Sequence, residues 1–148
     1  MNQAQLRALA QRMVKANVYM TLATADKKPW AAPVFYCPDK QGNFYYASQM
    51  KSVHSRHILK NHRVAFAIFD SHQPEGTGNG VQGFGRAELV KEPQIAAALR
   101  WYKTTYLPMI PDSFRGQAPY RLFKITPRHW YVLDPDAHVD SRVEVGRP

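Results

Sequence analysis

Between Asp39 and Asp70 the chain has no acidic residue, yet Lys40, Lys51, Arg56, Lys60 and Arg63, with His54, His57 and His62, all fall in that window. A run of this kind suits an anion, and its local pattern says where. Phe44 to Ser48 is β-rich, and Val53 to Asn61 has helical spacing with Ser52 placed as the N-cap. A helix starting there turns the amides of Val53, His54 and Ser55 outward beside Lys51. Unpaired amides and the helix dipole favour negative charge. The expected chemistry is a pocket for a phosphate-bearing ligand. Farther along the same helix, Arg56 and Lys60 read as a solvated face opposite the packing side of Ser55, Ile58 and Leu59.

The elements that must hold this pocket can be read from the punctuation. Met1 to Asn17 sets Leu6, Leu9, Met13 and Val14 at helical spacing. Val18 to Thr24 and Trp30 to Cys37 are strands separated by the turn Ala25-Asp26-Lys27-Lys28-Pro29, and Phe44 to Ser48 follows as the third strand of a meander. Arg63 to Phe69 and Val81 to Val90 are further strands. Gly83 and Gly85 imply a bend or a close backbone approach, and a glycine-rich loop, Ser71 to Gly80, lies between the two strands. Pro93 is placed to open a helix to about Leu107 with a stripe of Ile95, Ala98, Leu99, Tyr102 and Tyr106. A loop from Pro108 to Pro119 leads to strands at Tyr120 to Ile125 and His129 to Leu133, and Val139 to Val145 alternates like a last strand. Six or seven mainly antiparallel strands with flanking helices predict a small closed barrel, since closure removes exposed edges.

Composition bounds the function. The 148 residues suit one domain, spanning 1–148, with its own core. A formal net charge of +9 is compatible with nucleic acid, an anionic membrane or small anions. No recognition helix, RNP-like strand or zinc knuckle accompanies the basic residues, so no nucleic-acid partner is expected. Nor does any segment reach the ~18 consecutive apolar residues of a membrane span. The first 17 residues lack the apolar core of a signal peptide and Cys37 is the only cysteine, so a cytoplasmic setting is expected. Asp134, Asp136, His138 and Asp140 alternate, but Pro135 favours a loop there, and His54 with His57 has no third ligand; no metal site is expected. A G-x-S-x-G elbow and a P-loop are both missing.

Several stretches in order resemble one known family. Trp30-Ala-Ala-Pro-Val-Phe-Tyr36, Asn43-Phe-Tyr-Tyr-Ala-Ser48, Ser52-Val-His-Ser-Arg-His-Ile58, Asn61-His-Arg-Val64 and Gly85-Arg-Ala-Glu88 are similar to the pyridoxamine 5'-phosphate oxidase-like, flavin-binding split-barrel family. Ile68 to Ser71 leading into Gly76-Thr-Gly-Asn-Gly80 resembles one poorly characterised branch of it. The resemblance implies a split-barrel homodimer that holds FMN, or in some branches a deazaflavin or heme, between its subunits. It implies phosphate contacts from Ser48, Lys51, Ser52, His54 and Ser55, ring or ribityl contacts from Pro33, Val34, Ala47 and Ser48, and late contacts from Trp130 and Arg142. In the oxidase an arginine on the second strand and an Arg-Lys pair at the helix start hold the phosphate. Here those positions align with Ala32, Val53 and His54, which predicts weaker cofactor retention or a different ligand. The activity implied is an FMN-dependent oxidoreductase acting on a small molecule, with no acid or base identified. A non-catalytic flavin or heme storage protein is the alternative, and a basic interaction module on the same fold is a third.

Overall fold

The computed structural model describes residues 1–137 and 141–147. Helix α1 (Gln3–Ala16) starts at a capping box in which Asn2 and Gln5 bond each other's backbone amides. Its Leu6, Ala10 and Val14, spaced by four, form the face buried against the sheet. The strands are β1 (Tyr19–Ala25), β2 (Pro29–Phe35), β3 (Cys37–Pro38), β4 (Phe44–Gln49), β5 (Arg63–Ile68), β6 (Val81–Leu89), β7 (Tyr120–Leu133) and β8 (Arg142–Val145). Helix α2 (Val53–Lys60) joins β4 to β5.

All the pairings are antiparallel, in the order β2-β1-β5-β6-β7-β4-β3, with β8 on β7. Strands β2 and β3 lie at opposite ends of that order, yet only Tyr36 separates them in the chain. One stretch of backbone therefore bridges both ends of the curled sheet, as the expected split barrel with flanking helices requires. Tyr36 makes the corner: its amide donates to the Val18 carbonyl at 3.0 Å and its hydroxyl to the Val14 carbonyl at 2.7 Å. The meander expected from the turns is thus broken at this corner, and β4 pairs with β7 and β3 rather than with β2.

The barrel interior is aromatic. Phe44 packs on Tyr36, Phe66 and Trp130 with ring centroids 5.1, 5.4 and 5.3 Å away. A second cluster, Tyr45, Ile95, Ala98, Leu99, Tyr102, Phe114 and Leu122, lies outside it.

Three expected elements come out differently. Helix α3 spans only Ile95–Ala98 after a 3-10 turn, and Tyr106 is 77% exposed instead of completing a stripe. Continuing the helix would send the Lys103 amide to the Leu99 carbonyl. That carbonyl accepts from the Lys103 ammonium instead (2.7 Å), while the amide donates to Cys37 Sγ (3.4 Å). Strand β7 runs unbroken through Pro127, because β4 has ended at the Phe44–Ile125 pair and a bulge at Phe84/Gly85 absorbs the proline. The last strand starts at Arg142, and Val139 and Asp140 lie outside the described residues.

Gly85 holds that bulge. A Cβ there would press on the backbone oxygen of Thr126 and on Pro127 Cα, neither of which can rotate away. Gly85→Ala is expected to cost about 1–3 kcal/mol, as overpacking of a close-packed interior does. Urea unfolding checks this, and an unchanged midpoint would refute the close approach.

Candidate functional site

At the end of β4 the chain turns through Met50 and Lys51 into α2, and four polar side chains converge there. Ser52 caps the helix, its Oγ accepting from the Ser55 amide at 3.3 Å, donating to the Gln49 carbonyl at 2.9 Å and lying 2.7 Å from Ser55 Oγ. His54 Nε2 lies 2.7 Å from Ser48 Oγ and 3.2 Å from Ser52 Oγ, and the two hydroxyls are 3.2 Å apart. Ser55 and Ser48 are buried, Ser52 and His54 half-buried, and Lys51 exposed. Of the three amides expected to face outward, that of Ser55 is taken by the cap, leaving those of Val53 and His54. Hydroxyls, an imidazole, two amides and a nearby ammonium form a donor set for an anionic oxygen group.

Burial, and secondarily the charge of His57, lower the His54 pKa from its ordinary 6.5. A neutral His54 therefore sits in the cluster near neutrality. Because the folded-state pKa is depressed, the unfolded chain takes up the proton first as the pH falls. The stabilising effect is complete above about pH 6.5 and is lost as the pH falls through the folded value. The melting temperature is expected to drop on going from about pH 7.5 to pH 5.5, and to drop less in His54→Gln; equal slopes would refute the assignment.

His57, one turn on, is 3.1 Å from Thr24 Oγ1, and Lys60 pairs with Asp26 at 3.1 Å. The far end of α2 is thus tied to the β1–β2 turn.

The strand residues divide by face. Pro33 is exposed on the outer surface of β2, opposite Thr21, and Ala47 is half-buried on β4. Val34 points the other way, into the core, as does Ala32. Neighbouring strand residues face opposite sides, so the Val34 side chain lies in the core while Pro33 occupies the outer side. Its outer neighbour is Phe35, which sequence reasoning missed. Ala47 and Phe35, with Tyr19, Tyr102, Tyr106 and Tyr120, line a cavity of about 670 Å³ on the outer face of β4. Counting in steps of two from Pro33 would have found Phe35; nothing local to residues 102–120 marked the tyrosines.

Trp130 and Arg142 are not part of this cluster. Trp130 is 1% exposed, wedged between Phe44 and Phe66 in the core. Arg142 donates to the carbonyls of Gly78 (3.1 Å) and Gly80 (3.4 Å), tying down the glycine-rich loop. On β7, Arg142 is paired with Leu133 and Ser48 with Arg121. About 40 Å of extended strand separates those positions. Arg142 and Ser48 therefore do not meet within one chain. Asp134 and Asp136 receive the terminal ammonium of Met1 at 3.5 and 2.8 Å, while His138 and Asp140 lie outside the described residues. Among the described residues, no helix is long and apolar enough to cross a membrane.

Comparison with known proteins agrees with this architecture. The chain is similar in fold to a protein related to general stress protein 26 of B. subtilis, of the pyridoxinephosphate oxidase family, from Clostridium acetobutylicum. That pair shares 12% identity over 97% of this chain and 95% of the other, with a TM-score of 0.69. It is similar to HutZ, the heme storage protein from Vibrio cholerae (16% identity, 86% and 94% covered, TM-score 0.66). The General Stress Protein 26 from Bacillus anthracis aligns at 18% identity, 89% and 96% covered, TM-score 0.62. No curated protein sequence matches. At these identities the structures speak for the fold alone. The family described as pyridoxamine 5'-phosphate oxidase, however, matches residues 6–134. A sequence match of that length, laid over a barrel closed at Tyr36 with its polar cluster at the start of α2, makes this chain a member of the pyridoxamine 5'-phosphate oxidase family.

Proposed function

We propose that the protein binds FMN and is a flavin-dependent oxidoreductase acting on a small molecule, working as a homodimer with the cofactor at the subunit seam. The observation that carries this reading is the Ser48–Ser52–His54 cluster at the start of α2, with an aromatic-walled cavity lined from Ala47, the strand residue before Ser48.

The residues fit a phosphorylated ring. Ser48, Ser52, the Val53 and His54 amides and Lys51 supply donors for the phosphate, while Pro33, Phe35 and Ala47 supply an apolar wall. FMN, when bound, supplies hydride or single-electron transfer. The chain's own part is to hold the phosphate, orient the ring and keep water off it. A second copy covering the Tyr19, Pro33 and Phe35 end of the outer sheet face would bury side chains that this chain leaves uncovered. In that arrangement Arg142 serves from the partner subunit, which answers the separation along β7.

A second reading, non-catalytic storage of heme or flavin, is supported by the neutral His54, since an iron-binding imidazole must be unprotonated. Denaturing the native protein and identifying the released molecule by mass spectrometry, with absorption spectra taken beforehand, tests both. Flavin that bleaches with NADPH under anaerobic conditions supports the first reading, and a Soret band the second. Protein that carries neither and fails to take up added FMN overturns both.

A further inference from the structure

A second cleft, of about 800 Å³, opens on the outer sheet face at the opposite end of β1 from Tyr19. Its floor includes Ala23, Ala65 and Phe84, and three arginines, Arg63, Arg86 and Arg128, line it as well. We propose that this cleft binds a small amphiphilic anion, a flat apolar body carrying a phosphate or carboxylate group, at a site separate from the α2 cluster.

The arrangement of charge is what calls for a ligand. Arg63 and Arg86 are directly opposed across β5 and β6, on the same outer face. Like charges at opposed positions destabilise a sheet. Arg86 is paired with Glu88 at 3.0 Å. Among the described residues, neither Arg63 nor Arg128 has an acidic partner. A chain with 20 basic and 11 acidic residues could have kept this position free of a second cation. An anion shared by the guanidiniums turns the repulsion into charge-assisted bonds, and their planar forks match phosphate or carboxylate oxygens.

Backbone geometry contributes the third cation. The bulge pairs Gly85 with Pro127 and Phe84 with His129, so Arg128 is the extra residue on β7. Bulges commonly re-aim a side chain, and here Arg128 joins the cleft lining. The floor is made for an apolar body: Ala23 and Ala65 leave room, and Phe84 is 45% exposed with His129 stacked on it at 4.5 Å. The volume lies within the usual range for small-ligand sites, roughly 300–1,000 Å³.

Isothermal titration of the full chain with phenyl phosphate and with inorganic phosphate tests the proposal. Saturable binding of phenyl phosphate is expected, tighter than inorganic phosphate, and weaker by about tenfold or more in Arg63→Ala/Arg128→Ala, as loss of charge-assisted bonds implies. Ser52→Ala is expected to leave the component that depends on Arg63 and Arg128 unchanged. The double variant, freed of the Arg63–Arg86 repulsion, is expected to melt no lower than the parent. Any of three results overturns the proposal: no saturable binding, equal affinity in the double variant, or loss in Ser52→Ala instead, which would place the probe at α2. As a further check, arginine-directed labelling that reaches Arg63 and Arg128 only after a dimer is dissociated would overturn it too, by showing a second copy over the cleft.

Discussion

Phe44→Ala is expected to destabilise the fold by about 3–5 kcal/mol, the range for deleting a fully buried phenyl ring. Phe44 has no exposed surface and holds Tyr36, Phe66 and Trp130 in one aromatic group. It also opens β4, where its backbone pairs with Ile125 on one side and Pro38 on the other, beside the corner that closes the barrel. The vacated volume cannot collapse easily, because rings from β5 and β7 and the corner residue surround it. A domain of this size has about 5–15 kcal/mol in total, so the variant should fall by at least ~6 °C in melting temperature and unfold at lower urea with an unchanged slope. Phe84→Ala, on the outer face, is the control, with a loss of at most about 1 kcal/mol. Equal losses for the two would mean that the barrel interior is not what holds the fold together.

Ser52→Gly is expected to keep the fold and, on the proposed function, to weaken FMN binding. The Ser52 hydroxyl has two separable roles: it caps α2, and it belongs to the hydroxyl–imidazole cluster offered to the phosphate. Replacing an N-cap serine by alanine costs about 1 kcal/mol, whereas glycine at the same position costs only a few tenths. Removing a hydrogen bond to a charged group costs about 1.5–3 kcal/mol, or roughly 10–100-fold in affinity. Ser52→Gly should therefore melt close to the parent while its FMN dissociation constant rises by that factor; Ser52→Ala should show both defects. If FMN binding tracks melting temperature across the two variants, the hydroxyl is only a cap and the phosphate lies elsewhere. This comparison is independent of the Arg63 cleft, whose phenyl phosphate binding should survive both substitutions.

Much of the scaffold was legible because its signals are local. Alternation and turn residues marked β1, β5 and β6, and Ser52 at the head of an amphipathic segment marked α2 within a residue. The grouping of Ser48, Ser52, His54 and Ser55 followed from that helix start, since residues this close in sequence have little freedom once the cap forms. Other readings of the elements failed where long-range contacts overrode local pattern. The helix expected to Leu107 stops after Ala98, and beyond it the Lys103 amide donates to Cys37 Sγ on a distant strand instead of back along the helix. The Val34 side chain faces the core and Pro33 the outer side, since one residue of register moves a side chain to the opposite face. Trp130, an amphipathic residue near the chain's end, lies as a core ring among Phe44 and Phe66.

The amino-acid sequence alone determined the family, the order of strands around α2 and the cap that gathers the hydroxyls, since each depends on composition and on neighbours within a few residues. Only the tertiary structure decided that Tyr36 closes the barrel, that Arg142 lies far from Ser48 along β7, and that Arg63, Arg86 and Arg128 line one cleft. Those three facts depend on which strands pair and on where the bulge falls. Pairing is settled by the burial of the whole aromatic interior at once, an energy that no short stretch of chain contains.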